Sequence, residues 1–186
     1  MKRREFLNSL QAQKASQEFN NIELSNSGLT PYTGVWDVLQ ISHLLKRTMF
    51  GAKKADVDYF KTKSMNAAVD ELITTVNTPP LPPVNNYTGN DVPAGETWVN
   101  AVYSSDYNTS RINSLHSWWT GLQLNQNRSI EEKMVLFWHN HLVTEHSGLD
   151  PRYLYRYNVV LRKNALGNFK TMIKDITLTP AMLVYL

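Results

Sequence analysis

The chain contains no cysteine, which excludes disulfides, thiolate metal sites and a cysteine nucleophile and leaves the redox character of its compartment open. It also lacks any uninterrupted apolar run of about 18 residues, the least that a membrane-spanning helix needs. Charge of one sign is scarce: 19 basic against 16 acidic residues leave a formal net charge of +3. The lysines and arginines are scattered, and such weak basicity gives no reason to expect a nucleic-acid partner. No phosphate-cradling glycine loop, nucleophile elbow or pair of catalytic carboxylates at recognisable spacing is found. What is present is 186 residues, 42% of them hydrophobic, enough to bury a core in one domain or a little more.

The start, Met1-Lys2-Arg3-Arg4-Glu5-Phe6-Leu7, resembles a twin-arginine export signature. Residues 11–21 are too polar to be the apolar region of a signal peptide, so a short, basic, solvated helix is expected there and export is not. Asn, Ser, Gly, Thr and Pro in close order over 22–34 read as a linker. The organisation expected is therefore a polar extension and linker over 1–34 and a helical domain over 35–186.

Within that domain, apolar spacing predicts a helix over 36–49 through Trp36, Leu39, Leu44, Leu45 and Met49, closed by Phe50-Gly51 with the glycine as a left-handed cap. Helices over 54–60 and 66–76 follow, the latter burying Ala67, Val69, Leu72, Ile73 and Val76. Residues 77–95 hold Pro79, Pro80, Pro82, Pro83 and Pro93 and predict a long surface loop, because proline lacks the amide donor and its ring clashes with a preceding helical turn. Further helices are expected over 110–124, 129–148, 150–166, 168–178 and 180–186. Ser129-x-x-Glu132 opens the second of these as a capping box, and Asp150-Pro151 the third as cap and first turn. No repeat or alternating strand pattern is found, so the fold class is all-α, an irregular multi-helix bundle with a long proline-rich surface loop.

The helix over 130–145 carries the chemistry. In an ideal helix Ile130, Met134, Phe137, Trp138, His141 and Leu142 share one side, and Glu145 follows His141 at i, i+4. His139 lies about 200° from His141 and looks the other way. A histidine in an apolar stripe is ordinarily a hydrogen-bonded core residue. Two functional readings stand beside that one. His141 and Glu145 would bind a divalent metal if completed by His116, His43 or a residue beyond Leu186, since such sites need three or four ligands. Alternatively, His141 acts as general acid or base with Glu145 fixing its tautomer. Arg152, Arg156 and Lys163 share a side of the following helix, either as an anion site or as an ordinary solvated face. Trp98, Tyr103, Tyr107, Trp118, Trp119, Tyr153, Tyr155 and Tyr157 would suit either a carbohydrate cleft or core packing.

Three blocks carry a family resemblance. His43-Leu44-Leu45-Lys46-Arg47-Thr48-Met49-Phe50-Gly51 with Ala55-Asp56-Val57 is the first, and residues 132–141, Glu-Lys-Met-Val-Leu-Phe-Trp-His-Asn-His, are the second. Asn164-Ala165-Leu166-Gly167-Asn168-Phe169 with Thr179-Pro180-Ala181-Met182-Leu183 is the third. Together and in this order they resemble the bacterial family called domain of unknown function 1800. Met49 stands where the family has small residues, and Lys170 where it has arginine. The resemblance implies a helical fold and no agreed activity. Members are usually longer, so it also implies that the helical domain is incomplete at its C-terminus and that a site here would contact sequence beyond Leu186. Two functions are therefore carried forward: a metal- or histidine-dependent enzyme, and a non-catalytic helical module that binds or assembles with a carbohydrate or protein partner.

Overall fold

Asp37 sets the first helix by accepting a hydrogen bond from the Val38 amide at 2.7 Å, a donor the helix cannot satisfy internally. In the computed structural model, which describes residues 32–74, 79–89, 91–145 and 148–186, this helix, α1, is Val38–Thr48. The chain divides between Val35 and Trp36, and α1 with all the helices that follow it belongs to the second unit. The arginine-rich start, most of the linker, Val76 and His146 lie outside the described residues.

α1 buries Ile41 and Leu45 and is followed by buried Met49, whereas Leu39 is exposed. It ends at Met49 in an extended conformation. Gly51 does not take the expected left-handed cap, since positive φ occurs among the described residues at Gly95 and Gly148 alone. α2 (Lys54–Phe60) adds Val57 and Phe60 to the same core. α3 (Met65–Ile73) is capped by the Ser64 hydroxyl and buries Ala68 and Leu72. Ala67, Val69 and Ile73 are exposed, so its inner face is narrower than the apolar pattern implied.

The proline-rich segment forms neither helix nor strand among its described residues, only an isolated bridge between Val84 and Thr97. It does not lie wholly on the surface, because Pro83, Asn85 and Val92 are buried. Asn85 organises it: its side-chain amide donates to the Val92 carbonyl at 2.6 Å, and its own carbonyl accepts from the Gly95 amide at 2.9 Å. These bonds replace the ladder that the prolines deny. Val92, Trp98 and Val99 then pack with Leu115 as a separate apolar cluster. Arg111 is buried beneath it, donating to Asp91 and to the Val102 carbonyl.

Five helices complete the unit: α4 (Asn108–Leu124), α5 (Glu131–His141), α6 (Pro151–Asn164), α7 (Phe169–Thr177) and α8 (Pro180–Tyr185). The Asp150 carboxylate accepts from the Arg152 amide at 2.9 Å, and Pro151 sits in the first turn where its missing donor costs nothing. α6 is the hub, packed against α4, α5, α7 and α8. Its Tyr157 and Leu161 meet Val135, Met172 and Ile176 in the largest core cluster, where each fully buried aliphatic side chain contributes roughly 1.5–3 kcal/mol. The fold is all-α: the described residues form eight α-helices and no strand. No helix among them is long and apolar enough to cross a membrane.

Candidate functional site

The rotation of α5 decides which histidine faces the protein, and it differs from the sequence-based expectation. Val135 is fully buried and Glu132 is 8% exposed, because both Glu132 oxygens accept hydrogen bonds from the Arg162 guanidinium of α6. A carboxylate can face inward when it is paired in this way. The capping box is consequently not made: Ser129 Oγ accepts from the Glu131 amide at 3.2 Å, and Glu132 is engaged elsewhere. Phe137, expected inside, is 52% exposed. It stacks on His141, also exposed, with ring centroids 5.9 Å apart. Trp138 is half-buried and donates to the Ala165 carbonyl at 3.0 Å. His139 is the imidazole turned toward the protein. It lies 4.8 Å from the Trp119 ring and 5.9 Å from that of Tyr157, centroid to centroid.

α5 also ends sooner than predicted, at His141, so Glu145 is not one helical turn beyond it and the expected i, i+4 pair does not form. Two features stop the helix. Val143 and Thr144 are β-branched and propagate it poorly, and the Leu142 carbonyl accepts the Tyr157 hydroxyl instead of continuing the ladder.

The shortened helix leaves a cavity of about 340 Å³ walled by α4, α5, α6 and the turn after α5. Its apolar and aromatic lining comes from Leu115, Trp119, Leu154 and Tyr157. Its polar lining comes from His116, His139, Thr144, Glu145 and Asn158. Two residues named from sequence, His116 and Glu145, thus meet here with His139 in the place expected of His141. Both are exposed and stand at the rim. Deeper in, Thr144 is 9% and Asn158 4% exposed. The Trp119 indole nitrogen, the Thr144 hydroxyl and the Asn158 carbonyl oxygen are each buried without a hydrogen-bond partner. A lone buried polar atom of this kind costs about 1–3 kcal/mol; all three belong to residues that line the cavity, though the atoms themselves have almost no accessible surface.

Burial disfavours the imidazolium form of His139 and, despite an opposing hydrogen bond to the Asn140 side chain, lowers its pKa below the ordinary 6.5; nearby His116 acts in the same direction. At neutral pH the ring is therefore a proton acceptor. Burial pushes the Tyr157 phenol up to about 12, so it stays protonated and holds its bond to Leu142.

The remaining sequence-named residues are placed apart from this cavity. Arg152 pairs with Asp150 and donates to the Ala101 carbonyl, while Arg156 and Lys163 are exposed. Of the aromatics, Trp98 is buried with its indole donating to Ser114 Oγ at 3.0 Å. Trp118 donates to the Leu81 carbonyl at 2.7 Å and meets Tyr155 edge-on. Trp119 and Tyr157 alone among the eight named aromatics line the cavity. Among the described residues no three His, Asp or Glu side chains come together so as to hold a metal ion. Asn158 and Thr144 escaped the sequence reading. Asn158 carried a usable signal, a polar residue among Leu154, Tyr157 and Leu161 on the inner side of α6, whereas Thr144 carried none.

Fold and site together define a helical protein with a partly open, mainly apolar cavity that His139 lines. The chain belongs to the family described as Protein of unknown function (DUF1800), whose profile matches residues 43–186. No curated protein and no solved structure gives a significant match.

Proposed function

We propose that this chain carries a histidine-dependent acid–base site, with His139 as proton acceptor for a small ligand held in the cavity between α4, α5 and α6. The observation that carries the reading is that His139, turned inward by the rotation of α5 and packed beside Trp119 and Tyr157, lines a cavity together with His116 and Glu145. Burial supplies the second requirement, an imidazole in its basic form at neutral pH. The titratable groups facing His139 are His116 on α4, Tyr157 on α6 and Glu145 after α5. A Glu145 carboxylate at the rim would steady the imidazolium formed when the ring takes a proton.

Hydrolysis of a small activated ester, p-nitrophenyl acetate, tests the role without knowledge of the natural substrate. The wild-type rate should rise with pH and level off at lower pH than for an exposed histidine. His139→Gln should remove that phase, and His141→Gln should leave it. Equal pH–rate profiles for wild type and His139→Gln would sink the acid–base role and leave the cavity a site of recognition alone.

A further inference from the structure

We infer that Tyr157 is a positioning residue for the His139 cavity: its hydroxyl, by taking the Leu142 carbonyl, ends α5 at His141 and so decides which side chains of residues 143–145 reach the cavity wall. The inference rests on the reading of His139 as the proton acceptor of the site and adds the group that keeps its surroundings open. The stop is visible in the backbone. Leu142 caps α5 with its amide bonded to the Trp138 carbonyl at 2.8 Å, but its φ of −104° and ψ of 68° lie about 110° in ψ from a helical value. Among the described residues no main-chain hydrogen bond is made by the Val143, Thr144 or Glu145 amides. The Leu142 carbonyl, which a longer helix would give to the amide four residues on, accepts the Tyr157 hydroxyl instead. Tyr157 is 1% exposed and held in α6, so this bond ties the end of α5 to the hub of the fold.

The consequence for the site is a matter of rotation. Had α5 run on by one turn, at about 100° per residue, Val143 would stand about 40° from His139 and Glu145 about 240°, close to His141. Val143 would then take the cavity side, and the Glu145 carboxylate would leave it. In the stopped chain the order is reversed: Val143 is 52% exposed and Thr144 is buried, and Thr144 and Glu145 line the cavity while Val143 does not. The phenol ring also meets the His139 ring edge-on, centroids 5.9 Å apart, so one side chain holds both the imidazole and the turn that faces it. Two β-branched residues propagate a helix poorly without forbidding it, which leaves the hydroxyl to make the difference.

Tyr157→Phe keeps the ring and removes the hydroxyl. In NMR spectra of the full chain, the carbon shifts and amide exchange of residues 142–145 should be those of irregular chain in wild type and of helix in the variant. The His139-dependent phase of p-nitrophenyl acetate hydrolysis should fall about tenfold or more, as displacement of the groups around a reacting centre by about an ångström does. Val143→Pro supplies the rescue: the Val143 amide has no main-chain acceptor to lose, and a proline there disfavours helix at the residue before it. Added to Tyr157→Phe, it should return both the irregular shifts and the lost rate, which mere loss of a stabilising bond would not allow. If Tyr157→Phe does not fold, as a thermal melt will reveal, wild-type spectra carry the test: the Tyr157 hydroxyl proton should be shielded from exchange and show a cross-peak to Leu142. An unchanged end of α5 in Tyr157→Phe, an extended helix with an unchanged rate, a stopped helix in the double variant without recovery of rate, or a freely exchanging hydroxyl proton each overturns the inference. If wild type shows no His139-dependent phase, the acid–base reading fails alone, and the shifts of residues 142–145 still judge the inference.

Discussion

Removing the Glu132 carboxylate is the sharpest probe of how α5 is seated. Glu132 and Arg162 have side chains only 11% and 8% exposed, and both carboxylate oxygens accept from the two terminal guanidinium nitrogens. Arg162 Nε already lacks a partner; the face of Trp118 lies 5.9 Å from the guanidinium carbon, and the Glu131 carboxylate is close enough to feel its charge. Glu132→Ala therefore leaves a buried cation without its hydrogen-bonded counter-ion, a defect that costs about 3–5 kcal/mol. At about 2–4 °C per kcal/mol for a chain of this length, the melting temperature should fall by roughly 6–20 °C. In urea, with a slope of about 2 kcal/mol per molar, the midpoint should drop by roughly 1.5–2.5 M. Glu132→Met combined with Arg162→Met should recover much of that loss, because a well-packed apolar pair avoids desolvating two charges. Denaturation of the three variants against wild type measures both effects. A Glu132→Ala protein within about 0.5 kcal/mol of wild type, the usual range for a surface change, would mean that the carboxylate is hydrated, that α5 is rotated as its apolar pattern suggests, and that His139 does not face the cavity.

Two further predictions share this logic. Trp138→Ala should cost about 3 kcal/mol, since it removes packing against Phe169 at 5.4 Å and the bond to Ala165; exposed Phe137→Ala should cost under about 1 kcal/mol, and equal losses in calorimetry would contradict the assigned faces. Stability should also fall with acid in two stages. His139 has its folded pKa below the ordinary 6.5, so the unfolded chain binds the extra proton first and stability declines as pH drops from about 6.5 through the folded value. A second decline follows below the carboxylate range. For Asp91 and Asp150 burial alone would raise the pKa, but hydrogen bonds from Arg111 and Tyr87 to the one and from Arg152 to the other outweigh it and hold both low. His139→Gln should abolish the first stage only, as read by melting temperature against pH; an unchanged first stage would assign it to another group.

Local signals carried most of the fold. Lys54–Phe60 agrees residue for residue with the predicted span, and the Asp150-Pro151 opening of α6 is made by the bonds that its chemistry implies. What local pattern could not carry was the rotation of α5. Its apolar residues form a convincing stripe through Met134, Phe137 and His141, yet the inner side is set by Glu132, whose partner Arg162 stands 30 residues away. A charged residue reads as outward unless its counter-ion is known, and that pairing is tertiary. The early end of α5 has the same origin, since it depends on the Tyr157 hydroxyl reaching Leu142 from another helix. Hence the sequence reading singled out His141, which the structure leaves exposed, over His139, which lines a cavity with His116 and Glu145. The buried part of the proline-rich segment was hidden for a related reason: Asn85 looks like a turn residue, and only its bonds to Val92 and Gly95 bring it inside.

Three arginines of α4 and α6 are committed to carboxylates within the protein. Arg111 on α4 is held by Asp91, Arg152 at the start of α6 by Asp150, and Arg162 near its end by Glu132. The Glu132–Arg162 pair ties α5 to α6, and the other two tie α4 and α6 to the segments just before them, so these arginines are electrostatically spent. A guanidinium that served an anionic ligand would have to leave its carboxylate, and a buried carboxylate left alone costs about as much as the ligand contact would return. The arrangement therefore leaves these three guanidinium groups committed within the protein. It also predicts that Asp91→Asn, which frees Arg111 partially, should destabilise the fold without creating affinity for sulfate or phosphate; measurable anion binding in that variant would show that the arginines are available after all.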